Sequence, residues 1–298
     1  MRRVLITGIG GFTGRHLANS LSRADFSVVG MSHRPLNADA WPTHVCDLLD
    51  REKLLDIVAA TKPDFVVHLA AVASVAHPSP AAIYETNIVG TRNLLDALLA
   101  SESRPRAVLL ASSGNVYGNA TVQPIAETQS LAPTNDYALS KLAMEYMAKS
   151  WQTKLPIVTV RPFNYTGIGQ SIDFLLPKLI SHFRSKLPVL KLGNLDVVRD
   201  FSDVRSVTEA YTRLLTQDNV AGQTFNVCSG VGHALKDVLT MLRELTGHHP
   251  DVVSTPELVR GNEVHTLIGD PSRLQRAVGP MNWIPLRETL VSMLEAGV

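Results

Sequence analysis

Short unbroken apolar runs mark the first half of the chain. Val4-Leu5-Ile6-Thr7, Ser27-Val28-Val29-Gly30, Val45-Cys46-Asp47-Leu48, Phe65 to Ala71 and Ala107 to Ser113 are the clearest. Apolar residues that do not alternate with polar ones predict strands covered on both faces, as in a parallel sheet. Between them the spacing changes to helical: Arg15 to Leu21, Asn87 to about Leu99, and a stretch opening at Asp136. Strand and helix in alternation predict an α/β chain built on a doubly wound parallel sheet. After the strand Val158-Thr159-Val160-Arg161 the alternation stops. Helices are expected near 174–184, 204–215 and 235–245, with a strand at Thr224 to Val227, among Pro- and Gly-punctuated loops. This is expected to be a smaller mixed α/β unit folded over the strand ends, with the 204–215 helix returning to the main sheet. The division expected is 1–163 with about 199–220 for the first unit, and 164–198 with 221–298 for the second.

Composition narrows the class. The 298 residues are 45% hydrophobic and 18% charged, enough for a sizeable core. A formal net charge of +1 and the lack of a basic tract argue against a nucleic-acid partner. Cys46 and Cys228 are the only cysteines, each in an apolar run, which predicts two buried thiols in a reduced compartment. No stretch is apolar enough to span a bilayer, so a soluble cytoplasmic protein without a membrane partner is expected. His248-His249 and the His44/Cys46 pair lack a third ligand at metal spacing, and no metal site is expected.

The first strand runs into Gly8-Ile9-Gly10-Gly11-Phe12-Thr13-Gly14 and then a helix. In that context Gly8, Gly11 and Gly14 let the backbone turn tightly against a pyrophosphate. The anion then sits on the free N–H groups of the helix start, beside Phe12 and Thr13. This predicts a dinucleotide site on a Rossmann sheet. An NAD site carries an acidic residue at the end of the second strand for the ribose hydroxyl. Here that place holds Ser32, with Arg34 close by. A missing carboxylate beside a guanidinium favours a 2′-phosphate, so NADPH is expected, with NADH as the alternative. Asp47 is placed to accept from the adenine amino group, next to Leu48. Ala70 and Ala71 leave room for the cofactor across the strand ends. His68, alone in an apolar run, reads as a core histidine. Ser112 and Ser113 close the strand at Ala107 to Ser113 and point at the same crevice.

Thr134, Asn135 and Asp136 are helix-capping residues, and the helix they open carries Tyr137 and Lys141 four apart on one face. An ammonium beside a phenol favours the phenolate, which predicts a lowered pKa for Tyr137. Alone, such a pair is common on ordinary amphipathic helices.

Taken together, the motifs are specific. Thr7-Gly8-x-x-Gly11-Phe12-x-Gly14, Asp47-Leu48, His68-Leu69-Ala70-Ala71 and Asn87-x-x-Gly90-Thr91 come first. Ser112-Ser113-x-x-Val116-Tyr117-Gly118, Tyr137-x-x-x-Lys141, Arg161-Pro162-Phe163-Asn164 and Arg199-Asp200-Phe201-x-Asp203-Val204 follow. In this order they resemble the extended short-chain dehydrogenase/reductase family, which acts on nucleotide sugars, over essentially the whole chain. The resemblance implies that Ser113, Tyr137 and Lys141 are catalytic. Ser113 would hold the reacting carbonyl, Tyr137 would protonate it, and Lys141 would bind the nicotinamide ribose. Pro162 and Ser112 would line the cofactor.

Which reaction follows is set elsewhere. Sugar dehydratases of the family carry a glutamate two positions after the catalytic hydroxyl, and here that position is Asn115. An amide cannot abstract a carbon-bound proton, so simple reduction is expected. The segments around Arg161–Gln170, Arg199–Val204 and Arg260–Leu274 resemble the family's GDP-mannose branch, with Gly261 where that branch usually has proline. That likeness implies Asn164, Arg199 and Arg260 on the substrate diphosphate, Asn115 in the substrate site and Lys178 near the guanine. The expected activity is NADPH-dependent reduction of a 4-keto group on a GDP-linked 6-deoxyhexose. The alternatives are an epimerase or 4-ketoreductase on a UDP- or dTDP-sugar, or a non-catalytic NADPH-binding regulator. Family members often form dimers through the helices here around Thr91–Leu99 and Leu139–Ser150, and a homodimer is expected.

Overall fold

The computed structural model describes residues 2–36, 40–73, 79–255 and 264–297. The first half runs β1 (Arg2–Thr7), α1 (Phe12–Arg23), β2 (Phe26–Ser32), β3 (Thr43–Val45), α2 (Arg51–Thr61) and β4 (Phe65–His68). It continues with α3 (Pro80–Tyr84), α4 (Thr91–Ala100), β5 (Ala107–Ala111), α5 (Asp136–Ala148) and β6 (Ile157–Pro162). The second half is β7 (Asn164–Thr166), α6 (Leu175–Arg184), β8 (Val189–Leu192), β9 (Val198–Asp203), α7 (Val204–Leu215) and β10 (Thr224–Val227). Then come β11 (Gly232–Ala234), α8 (Leu235–Thr246), β12 (Asp251–Ser254), β13 (Thr266–Leu267), α9 (Ser272–Val278) and α10 (Leu286–Ala296).

Seven parallel strands form the main sheet in the order β10-β6-β5-β4-β1-β2-β3. The unbroken apolar runs are explained by two helical layers. Val4, Ile6, Phe65, Val67, Leu109 and Val158 pack towards α1, α7 and α9. Their neighbours Leu5, Val66, Val108, Leu110 and Ile157 pack towards α2, α4 and α5. Each fully buried side chain of this kind contributes about 1.5–3 kcal/mol. Strand order reverses between β1 and β4, and Thr7 is level with both Met31 and His68. The carboxyl ends therefore open one crevice at the switch point.

The α7 helix returns to this sheet as expected, packing Val207, Ala210 and Leu214 into its core. Three assignments change. Thr224–Val227, counted with the second unit, pairs with β6 as the seventh strand, and α9 packs beside it through Leu274 and Val278. The third strand is Thr43–Val45, so Asp47 and Leu48 lie beyond it in the turn that starts α2. There Asp47 Oδ1 accepts the Leu49 N–H at 2.9 Å and Asp50 caps α2. The helix expected from Asn87 starts earlier, at Pro80, and passes through a π-helical turn at Glu85–Gly90 before α4.

The smaller unit sets β11, β9, β13 and β7 in one sheet and β8 with β12 in another. Leu176, Ile180 and Phe183 of α6, Leu239 and Leu242 of α8, and Leu290 of α10 form its core. A separate cluster of Val116, Tyr117, Ile125, Phe163, Cys228 and Leu267 joins the two units beneath the strand ends.

Candidate active site

Gly8 opens the crevice with φ of +73°, and its N–H donates to Met31 O at 2.8 Å. A Cβ there would lie 2.8 Å from Ala70 N, and a Cβ on Gly14 would lie 2.3 Å from Gly8 O. Only glycine lets α1 start so close to β1 and β4. Gly11 precedes α1 in extended form, with no side-chain cap and no acidic residue in the first turn. That leaves an uncapped, positively polarised helix start over the switch point, which fits a pyrophosphate. Thr13 is hydrogen-bonded to the Tyr165 hydroxyl at 2.7 Å, and Phe12 stacks on the Tyr165 ring at 6.1 Å. Ser32 is buried at the end of β2, its hydroxyl accepting the Arg34 N–H at 3.3 Å, and Arg34 is exposed. Asp47 is exposed on its turn, Leu48 is buried against Gly90, and Ala70 and Ala71 are partly exposed after β4. These residues can hold a dinucleotide.

His68 is a satisfied core histidine. The Thr91 hydroxyl donates a hydrogen bond to Asn87 O at 2.7 Å, so it accepts from His68 Nε2 at 2.8 Å. His68 Nδ1 then accepts from the Thr7 hydroxyl at 2.7 Å. Burial, helped by the charge of Lys141, lowers its pKa to about 3, so it stays neutral.

The reacting end is built on α5. Asn135 caps it by accepting the Ala138 N–H at 2.9 Å. Lys141 is buried, donates to Ala111 O at 2.8 Å, and lies 6.0 Å from the centre of the Tyr137 ring. Burial lowers its pKa to about 8, against the opposing charge of Glu145. Tyr137 is partly open to the crevice and hydrogen-bonded to Ser113. Its pKa is raised, by burial first and the neighbouring Tyr165 second, with the Ser113 bond acting against them. The expected depression by Lys141 is therefore overturned: desolvation of the phenolate sets the direction of the shift. Ser113 also accepts the Asn115 N–H at 3.2 Å, and Asn115 stands partly exposed on the following turn. Pro162 is buried at the end of β6, level with Val227.

Ser112, expected to point at the crevice and line the cofactor, instead faces the other way from Ser113, because successive residues of extended chain alternate sides. It donates its hydroxyl to Glu145, inside the protein. Glu145 also accepts from Arg161 Nε at 2.9 Å and Nη2 at 2.6 Å. Arg161 Nη1 reaches the Tyr117 hydroxyl at 2.8 Å, which donates to Asn226 Oδ1 at 2.7 Å. On a second side, Asn87 grips the Val72 backbone with both amide atoms and donates to Ser140 at 2.9 Å. Sequence reasoning missed both networks. Glu145 had a signal, since Tyr137, Lys141 and Glu145 continue one helical stripe. Asn226 had none, lying far along the chain from Tyr117.

On the substrate side, Asn164 opens β7 one residue beyond the end of β6, and its Oδ1 is buried with no hydrogen-bond partner. Lys178 is exposed in the first turn of α6. The Arg199 guanidinium donates to the carbonyls of Val198 at 2.9 Å, His265 at 3.0 Å and Val264, tying β9 to the chain entering β13. Arg260 lies outside the described residues.

A glycine cradle at the switch point of a parallel sheet, beside a Ser–Tyr–Lys cluster on a dry floor, defines an NAD(P)-dependent oxidoreductase. The chain belongs to the NAD dependent epimerase/dehydratase family, whose sequence model matches residues 4–228. It is 33% identical over 278 residues to the GDP-6-deoxy-D-talose 4-dehydrogenase of Aggregatibacter actinomycetemcomitans, covering 93% of this chain and 91% of the relative. It is 34% identical over 304 residues to the GDP-6-deoxy-D-mannose reductase of Pseudomonas aeruginosa, covering 98% and 96%. Among solved structures, RMD from Pseudomonas aeruginosa complexed with NADPH is 32% identical, with a TM-score of 0.86 over 99% and 98% of the two chains. A Burkholderia cenocepacia J2315 crystal structure with an epimerase designation is 50% identical, with a TM-score of 0.94 over 99% and 97%.

Proposed function

We propose that this protein reduces the 4-keto group of GDP-4-keto-6-deoxy-D-mannose with NADPH, giving GDP-D-rhamnose. The observation that carries the reading is the convergence of Ser113 on the Tyr137 phenol, with an amide, Asn115, on the turn just beyond. Two hydroxyls meeting at one point can hold a carbonyl oxygen and stabilise the negative charge it gains. Burial keeps Tyr137 protonated at neutral pH, so it is ready to give that oxygen a proton. Lys141 keeps the floor of the site positively charged beside the developing oxyanion. The nicotinamide cofactor supplies the reducing electron pair when bound along the Gly8–Gly14 turn. Without a carboxylate at Asn115, nothing there removes a proton from sugar carbon.

The GDP-linked substrate rests on the names of the two relatives and on the resemblance of the segments holding Asn164, Lys178, Arg199 and Arg260. The buried, unpartnered amide oxygen of Asn164 would take a donor such as a sugar hydroxyl, leaving its NH2 as the group for a phosphate oxygen. Ser32 and Arg34 support NADPH over NADH. A second reading has a specific basis: the first relative's name makes the C4 epimer, GDP-6-deoxy-D-talose, the other product to weigh. The test is incubation with GDP-4-keto-6-deoxy-D-mannose and NADPH, reading cofactor absorbance and then the C4 configuration by NMR coupling constants. GDP-D-rhamnose is expected. The talo product would transfer the proposal to the second reading, and turnover only with UDP- or dTDP-linked 4-keto sugars would overturn both.

A further inference from the structure

We infer that Glu145 is a positioning residue for the reduction, bolting the Ser113-bearing end of β5 to the catalytic helix α5 and holding Lys141 as an ammonium. The inference rests on the proposed roles of Ser113, Tyr137 and Lys141. Those three groups come from two separate elements, so something must fix the spacing between them to a fraction of an ångström. Glu145 lies one turn beyond Lys141 on the same stripe of α5 and is 7% exposed. Its carboxylate accepts a hydrogen bond from the hydroxyl of Ser112, the residue immediately before Ser113. Lys141 makes a second tie between the same two elements, through Ala111 O at 2.8 Å. The end of β5 is thus held to α5 at two successive residues, and Ser113 can only project towards Tyr137.

The third tie is to β6. Arg161 grips both oxygens of Glu145, at 2.9 and 2.6 Å, and so fixes the strand that leads through Pro162 to Asn164. A forked pair of this kind sets direction as well as distance. Reaction floor and substrate shelf are thereby referred to one carboxylate.

Among the described residues, the same carboxylate is the negative charge that opposes the desolvation of Lys141. The charged and titratable groups around the pair are Lys141 and Tyr137 on α5, Arg161 on β6, Tyr117 after β5, His68 on β4, and Glu127 behind Tyr117. His68 is neutral at working pH. Removing the charge of Glu145 leaves Lys141 facing burial and an uncompensated Arg161, and both effects favour loss of its proton. Activity that needs the Lys141 ammonium would then fall at a lower pH.

The experiment is a pH profile of kcat with GDP-4-keto-6-deoxy-D-mannose and NADPH, on Ser112→Ala, Ser112→Thr and Glu145→Gln, with Tyr137→Phe as the control. Ser112→Ala keeps the ion pair and the Lys141–Ala111 bond and removes only the Glu145 tie to β5. It is expected to lower kcat about tenfold with NADPH affinity unchanged, Ser112→Thr restoring most of the loss. Glu145→Gln is expected to move the alkaline limb down by about one pH unit. A Ser112→Ala enzyme within twofold of wild type, or a folded Glu145→Gln enzyme with an unmoved limb, overturns the inference. If Glu145→Gln does not fold, the two Ser112 variants decide alone. Turnover surviving in Tyr137→Phe would instead sink the proposed catalytic roles, so the two failures are separable.

Discussion

Lys141 is an ammonium held where water barely reaches, 3% exposed, and its neighbours only partly make up for that. A pKa lowered from 10.5 to about 8 means that the folded chain binds fewer protons than the unfolded chain between those values. Stability therefore rises with pH across that window, and the full penalty, about 3 kcal/mol, applies below pH 8. Lys141→Met is expected to lose nearly all turnover yet melt higher than wild type at pH 7, the gain fading towards pH 10.5; equal melting temperatures at pH 7 would refute it. Tyr137→Phe is expected to lower kcat by about three orders of magnitude with NADPH binding within a few-fold, measured by cofactor fluorescence. Arg34→Ala should weaken NADPH about tenfold and leave NADH unchanged; parallel losses for both would show that Arg34 does not meet a 2′-phosphate. The Tyr137/Lys141 pair was legible as two adjacent side chains. Its electrostatics were not, because the sign depends on how much water the rest of the fold removes.

The first helix and its glycine turn form the most rule-bound element. Gly14→Ala would press a Cβ to 2.3 Å from the backbone oxygen of Gly8, and no flexible side chain is there to move aside. The expected result is at least a tenfold loss of NADPH affinity and a destabilisation of about 1–3 kcal/mol, read by cofactor titration and thermal melting. An alanine variant with wild-type affinity would remove the cradle from the cofactor site. This element could be read from the sequence because every constraint on it is local: strand, turn and helix follow within a few residues. The third strand could not. Cys46 and Leu48 are buried because they pack beneath α2 and α4, while the true strand Thr43–Val45 is a half-exposed edge with a mixed pattern. Thr224–Val227 was legible as a strand but not as part of the main sheet, since parallel pairing with β6 is long-range. Glu145 belongs to the same lesson: its stripe was visible, its partners Arg161 and Ser112 needed the fold.

At the scale of the molecule, α5 serves two opposed surfaces. Tyr137, Lys141 and Glu145 occupy one stripe, turned into the protein. Leu139 and Tyr146 lie roughly half a turn away and are 46% and 58% exposed. Val89, just before α4, is 46% exposed, and α4 packs beside α5. Apolar side chains grouped on the outer faces of adjacent helices, on elements whose inner faces are already buried, call for a partner surface. A second copy of this chain related by a two-fold axis presents the same face in return, and two helices from each copy would close a four-helix contact. The protein is therefore expected to run as a dimer in size-exclusion chromatography with light scattering at micromolar concentration. Leu139→Glu with Tyr146→Glu is expected to give a monomer. Because both residues point away from the reacting stripe, the monomer should bind NADPH through the Gly8–Gly14 turn with an affinity near that of wild type. A wild-type monomer at tens of micromolar, or a double variant that stays dimeric, would mean that the exposed face of α4 and α5 is not where copies meet.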